Sequence, residues 1–246
     1  AGGPPDSGSV VSVLTMSESL TASLDGVTVV VTRPLDQAAA LREPLLQAGA
    51  EVIRLPTLQI EPIEIGPLQR NLILDLDRYA FVICVSSNAA RLGLDALSDY
   101  WPQWPVQQQW LAVGPASGEA MSGWGLNLKT AQQGATSETL LDWPELQDLT
   151  GQRILILRGE GGRETLADTL RQRGAHVDYR ELYRRVKPTV DTAPLLQALR
   201  GERVILTVTS GDGLRNLMSM VEGDVASLQR CPLVVVSGRL AQFARE

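Results

Sequence analysis

The side chains best suited to chemistry sit where short apolar runs give way to helical patterns. The turns "TRPLDQ" (32–37), "SSNAA" (86–90), "VGPAS" (113–117), "ATSETL" (135–140), "RGEGGRET" (158–165), "TSGDG" (209–213) and "SGR" (237–239) are rich in Ser, Thr and Gly. In a parallel sheet such turns expose backbone N–H groups and helix N-termini, which attract anions. The same residues are ordinary helix N-caps, so both readings stand. "RGEGGRET" concentrates the possibilities: Gly159, Gly161 and Gly162 let backbone amides approach a ligand. Arg158 and Arg163 can grip a carboxylate or phosphate, or pair instead with Glu160 and Glu164. The loop is neither G-x-G-x-x-G nor a Walker loop, so it carries no nucleotide signature.

Other chemistries find less support. The one histidine, His176, has no G-x-S-x-G elbow to serve, which argues against a Ser-His-Asp triad. Cys84 and Cys231 lie in apolar runs without a Cys-x-x-Cys pattern, so they read as buried free thiols of a reducing cytoplasm, not as metal ligands. A formal charge of −6 argues against nucleic acid as a partner. No apolar stretch approaches the roughly 20 residues that span a bilayer. The tryptophans of "YWPQWPVQQQW" (100–110) read as packing and loop closure. What remains is an anion site built from turns.

The elements that must position these turns are of α/β type. "VTVVVT", "FVICVSS", "WLAVG", "RILILRG", "VILTVTS" and "PLVVVSG" are near-continuous β-rich runs, as expected for parallel strands covered on both faces. The plan occurs twice: "LLQAGAEV" (45–52) matches "LRQRGAHV" (170–177), "SSNAARLG" (86–93) matches "TSGDGLRN" (209–216), and "AVGPAS" (112–117) matches "VVSGRL" (235–240). The landmark pairs 49 and 174, 87 and 210, and 114 and 237 are separated by 125, 123 and 123 residues. Two similar α/β units in tandem follow.

Each unit has an extended segment that does not read as core. "EVIRLPTLQIEPI" (51–63) carries Pro56 and Pro62, which exclude a central strand. "HVDYRELYRRVKP" (176–188) has no apolar face at period two, with Tyr179, Tyr183 and Arg185 on one side and Arg180 and Arg184 on the other. Both are expected to be edge or linker strands, pairing as a ribbon that bridges two lobes instead of lying within a sheet. Residues 1–26 are expected to be a disordered lead ahead of a native start at Met16.

The ordered set "VTRP", "SSNA", "AVGPAS", "TSETLL", "LILRGEGGRETLADTLRQRGAHV", "ELYRRVKP" and "VTSGDGLRNL" resembles the uroporphyrinogen-III synthase family, from about Val27 to Glu246. The resemblance implies two parallel-sheet α/β lobes joined by a two-stranded linker, with the active-site cleft between them. One lobe would be discontinuous, 27–55 with 188–246, and the other 57–186, with linker strands near 54–62 and 178–188. It also implies that the chain stops inside the helix "GRLAQFARE", before a further strand and helix. The family's reaction closes hydroxymethylbilane to uroporphyrinogen III, with loss of water and inversion of the last ring, using no metal and no organic cofactor.

On this resemblance Tyr183 is the expected proton donor, since a phenol with an ordinary pKa of about 10 is protonated at neutral pH. Tyr179 is its rival on the same strand face. Ser86, Ser87, Asn88, Ser117, Ser210 and Gly211 are expected to line the cleft, with Gly159, Gly161, Gly162 and Arg163 from the glycine-rich loop. Arg33, Arg158 and Arg239 are expected to meet substrate carboxylates. A cytoplasmic monomer is implied, receiving substrate by transient hand-over from hydroxymethylbilane synthase. A non-catalytic tetrapyrrole- or anion-binding sensor of the same fold is the alternative.

Overall fold

The computed structural model describes residues 11–13, 23–131, 137–201, 203–221 and 223–246. Met16 and the first two residues of the turn at 135–140 lie outside them. The chain divides into two compact units, one built from residues up to Ile60 together with Val186–Glu246, the other from Glu61–Arg185. We call these units 1 and 2.

In chain order, unit 1 begins with β1 (Val11–Val13), β2 (Thr28–Val31), α1 (Leu35–Gln47) and β3 (Glu51–Arg54). The chain then passes through β4 (Gln59–Pro62) into unit 2, with α2 (Pro67–Leu74), β5 (Phe81–Cys84), α3 (Ser87–Ser98), β6 (Gln109–Ala112), α4 (Pro115–Met121) and β7 (Leu128–Thr130). There follow α5 (Ser137–Leu140), β8 (Arg153–Gly159), α6 (Thr165–Gln172) and β9 (His176–Val186). Back in unit 1 come α7 (Ala193–Ala198), β10 (Val204–Val208), α8 (Gly211–Met220), α9 (Val225–Gln229), β11 (Leu233–Val235) and α10 (Gly238–Arg245).

Unit 1 holds a five-stranded sheet ordered β1-β11-β10-β2-β3, with parallel pairing throughout. The six-stranded sheet is ordered β4-β9-β8-β5-β6-β7, and its pairings from β9 to β7 are parallel. The continuous apolar runs are the central strands: every residue of β5 and Ile154–Leu157 of β8 are buried. Helices on both faces require this. In unit 2, Phe81, Ile83, Leu111, Ile154 and Ile156 pack with Leu166 and Leu170 of α6. On α3, a Cβ at Gly93 would lie 2.7 Å from Leu157 Cδ1, so a larger residue there would require Leu157 to shift within a packed core. In unit 1, Val30, Leu206, Val208 and Val235 pack with Leu195, Leu217 and Leu240, while Val29 and Val31 meet Ala38 and Leu45.

The duplication is visible as sheet order. The run β11-β10-β2-β3 in one sheet corresponds to β6-β5-β8-β9 in the other, so each of these four-stranded runs takes two strands from each half of the chain. Gly49 and Gly174 close α1 and α6 with φ of +89° and +94°, the left-handed region that glycine enters without strain. Ser86 and Ser210 are the equivalent N-caps, at 124 residues, so pairing Ser87 with Ser210 is one residue out of register. The proline-bearing segment falls at sheet edges, with β3 at the end of one sheet and β4 at the end of the other.

Two expectations are corrected. β9 does not merely bridge: it lies inside the six-stranded sheet and pairs with β8 from His176 to Tyr183. Two of its acidic residues find partners on β8, Asp178 accepting from Arg153 at 3.0 Å and Glu181 sitting opposite Arg158, while Arg184 and Arg185 are exposed. Arg180 is buried as well. Second, Val11–Val13, inside the segment expected to be a disordered lead, forms β1 against β11. Its Val-Ser-Val sequence is strand-prone, and an uncovered sheet edge offers free N–H and C=O groups.

Candidate active site

The phenol of Tyr183 lies at the carboxyl end of β9, held by three elements of unit 2. The β8–β9 register shifts between Arg158 and Gly159, so that Arg158 opposes Glu181 and Gly159 opposes Tyr183. Glu160 N–H donates to the Tyr183 carbonyl at 2.6 Å. A Cβ at Gly159 would lie 2.6 Å from Tyr183 Cε2, so a side chain there would displace the ring. This glycine makes room for the tyrosine ring. Tyr183 is 1% exposed.

The Tyr183 hydroxyl is 3.0 Å from Ser86 Oγ and accepts from Arg185 Nη2 at 3.2 Å. The Arg185 guanidinium carbon is 5.4 Å from the ring centroid. Ser86 is the N-cap of α3 and accepts from Ala89 N–H at 3.1 Å. The positive end of the helix dipole therefore begins at the serine that meets the phenol. Ser87 and Asn88 follow as the first residues of α3 and are half-buried.

The glycine-rich loop realises its second reading. Arg158 stacks on Tyr179 at 3.7 Å and donates to Glu164 at 2.8 Å and Glu181 at 3.0 Å, while the Tyr179 hydroxyl donates to Glu164 at 2.5 Å. The bond from Tyr179, then that from Arg158, holds the Glu164 carboxyl below the usual range. Burial, then the bond to Glu164, pushes Tyr179 up to about 12. Arg158 and Tyr179 are thus paired with these carboxylates in the structure. Gly161 and Gly162, with φ of +65° and +147°, carry the exposed loop through left-handed backbone, and Arg163 follows, exposed. Ser117 lies in the first turn of α4 and is 5% exposed.

In unit 1 the candidates lie at the carboxyl edge of the five-stranded sheet. Arg33 stands between β2 and α1, and its buried Nε has no hydrogen-bond partner among the described residues. Ser210 caps α8, accepting from Gly213 N–H at 3.0 Å, and Gly211 begins that helix. Arg239 is exposed in the first turn of α10, which is capped by Ser237 accepting from Leu240 N–H at 3.2 Å. Ser237 belongs to the turn "SGR" that reads as a cap from sequence, whereas Arg185 is missed as a site residue, its signal being its place two residues beyond Tyr183 on the same strand face. Among the described residues, no cluster of His, Cys, Asp and Glu is arranged to hold a metal, and no helix is long and apolar enough to cross a membrane.

Paired parallel-sheet units with helix-capping serines at their carboxyl edges define a class of α/β protein with known structures. A uroporphyrinogen III synthase mutant from the extremely thermophilic bacterium Thermus thermophilus aligns with a TM-score of 0.59 at 17% identity, covering 89% of this chain and 96% of that one. The Helicobacter pylori 26695 uroporphyrinogen-III synthetase aligns at 0.51 and 14% identity, covering 89% and 87%. These likenesses fix the fold.

Sequence fixes the family. The family profile described as "Uroporphyrinogen-III synthase HemD" matches residues 39–246. Uroporphyrinogen-III synthase of Escherichia coli K12 is 32% identical over 222 residues, 89% of this chain and 90% of its own. That of Salmonella typhimurium LT2 is 34% identical over 224 residues, with the same coverage. The chain belongs to the uroporphyrinogen-III synthase family.

Proposed function

We propose that this protein closes hydroxymethylbilane to uroporphyrinogen III, losing water and inverting the last pyrrole ring, as a step of tetrapyrrole biosynthesis. Membership of the family carries this reading. The bilane also closes without an enzyme to the uninverted isomer, so the protein's task is to orient the chain and to assist loss of the hydroxyl. Tyr183 is the proton source for that loss: its hydroxyl is fixed by Arg185 and Ser86 beside the N-terminus of α3. Arg33 and Arg239, with the N-termini of α3, α8 and α10, are the candidate contacts for the substrate's eight carboxylates. The protein works as a cytoplasmic monomer, in keeping with the free thiols of Cys84 and Cys231, and takes its substrate from hydroxymethylbilane synthase.

The test is an isomer assay. Hydroxymethylbilane is generated in situ, the protein is added, and the oxidised products are separated into type I and type III. The wild-type protein yields the type III isomer in excess; a ratio equal to the protein-free control would overturn the reading. Tyr183→Phe keeps the fold and lowers turnover by about 10²-fold, the lower end for loss of a general acid. Turnover at the wild-type rate would remove Tyr183 from the chemistry.

A further inference from the structure

Tyr183 poses a difficulty for any direct proton donation, because the ring is 1% exposed behind Gly159 and Ser86. We propose that Ser86, not Tyr183, meets the leaving hydroxyl of the substrate, and that the proton passes from Tyr183 through the Ser86 hydroxyl in a two-step relay backed by Arg185. This rests on the cyclase reading and assigns a path to its proton.

The direction of the relay follows from counting donors and acceptors. Arg185 has only N–H groups, so it must donate to the phenol oxygen, at 3.2 Å. Ala89 N–H must likewise donate to Ser86 Oγ, at 3.1 Å. Between the two hydroxyls, 3.0 Å apart, either oxygen could donate. If the serine donated, the phenol hydrogen would need another acceptor. Among the described residues the Tyr183 hydroxyl has no acceptor besides Ser86, and a buried donor left without one costs about 1–3 kcal/mol. The tyrosine therefore donates to the serine. Ser86 Oγ, already accepting twice, has its own hydrogen free to point outward from a half-buried position. The chain ends in a donor at the rim of α3.

The step balances. The carbon–oxygen bond of the hydroxymethyl group breaks with its electron pair leaving on oxygen. The Ser86 proton goes to that oxygen, giving water, and the Tyr183 proton replaces it on the serine. The phenolate so formed faces the Arg185 cation, and the electrons of the pyrrole ring fill the vacancy on carbon. The last ring attacks that carbon through its substituted α-carbon, its bond to the methylene of the third ring breaks, and that methylene bonds to the last ring's other α-carbon, whose hydrogen leaves as the proton that restores the phenol.

Ser86→Gly is the discriminating variant. Glycine is nearly as good an N-cap as serine, so α3 is kept while the hydroxyl is lost. The expected result is a fall in kcat of about 10²-fold with unchanged KM, a thermal midpoint lowered because the phenol loses its acceptor, and recovery of most of both losses in Ser86→Thr. In mixtures of light and heavy water, wild-type turnover shows the curved dependence of two protons in flight, and Ser86→Gly a linear one. Wild-type kcat in Ser86→Gly, or a linear dependence in the wild type, would overturn the relay. Failure of the cyclase reading itself looks different, because the wild-type protein would then give no excess of the type III isomer.

Discussion

Arg180 shows where residue-level reading stops. It sits on β9, a segment whose sequence shows no apolar face, yet it is 3% exposed. Its Nη1 donates to the Glu181 carbonyl at 3.0 Å, while Nε has no partner among the described residues. Burial, with no ion pair to it among the described residues, lowers its pKa from the ordinary value. A buried charge without a counterion destabilises the fold, and a methionine would occupy the same path among Leu92, Ala96 and Leu182. Arg180→Met is expected to raise the free energy of unfolding by about 1–3 kcal/mol in urea titration, on the scale found when buried ionic groups give way to apolar ones. A loss of stability would show that the guanidinium is satisfied as it stands. Tyr183 was legible because it sits in a distinctive block, and Arg185 could have been read from the two-residue period. The fate of Arg180 depends on α3 and the segment after β4, which come close only in three dimensions.

At the scale of elements, the strand-to-helix turns were the most legible feature and their double meaning the least. Ser86, Ser210 and Ser237 share one geometry, with φ from −152° to −159° and ψ from 152° to 160°, and each accepts a backbone N–H three residues on. The capping reading therefore holds for all three, and it is compatible with anion binding because a capped N-terminus keeps its dipole. Ser210 separates the two roles in unit 1: Ser210→Ala should cost about 1 kcal/mol of stability and Ser210→Gly only a few tenths. Equal losses for the two variants, measured by urea titration, would mean that the hydroxyl is held for something other than the cap. β9 was misread for a related reason. A strand without an apolar face looks unfit for a sheet interior, but here Asp178 and Glu181 find Arg153 and Arg158 on β8, and such pairing leaves no mark within the strand's own sequence.

At the scale of the whole molecule, the duplication was read from spacing, but the exchange of strands between halves was not. Repeated motifs give the order of elements along the chain, whereas pairing β2 with β10 and β5 with β8 is a matter of which strands meet. The consequence is an asymmetry between the units. Strands β5 to β9 and their helices lie in one continuous stretch, with a core running from Phe81 to Ala175. The other sheet needs β2 and β3 from before residue 60 and β10 and β11 from after residue 200. A fragment comprising residues 61–185 should therefore unfold cooperatively in urea, while a fragment of residues 186–246 should show no cooperative transition, because β10 then lacks β2 and Leu206 and Val208 lose Val30. Mixing the second fragment with residues 23–60 should restore a transition that depends on concentration, since the missing strands arrive by association. A cooperative transition in residues 186–246 alone would show that β10 and β11 carry enough core by themselves, and that the exchange of strands is not what holds unit 1 together.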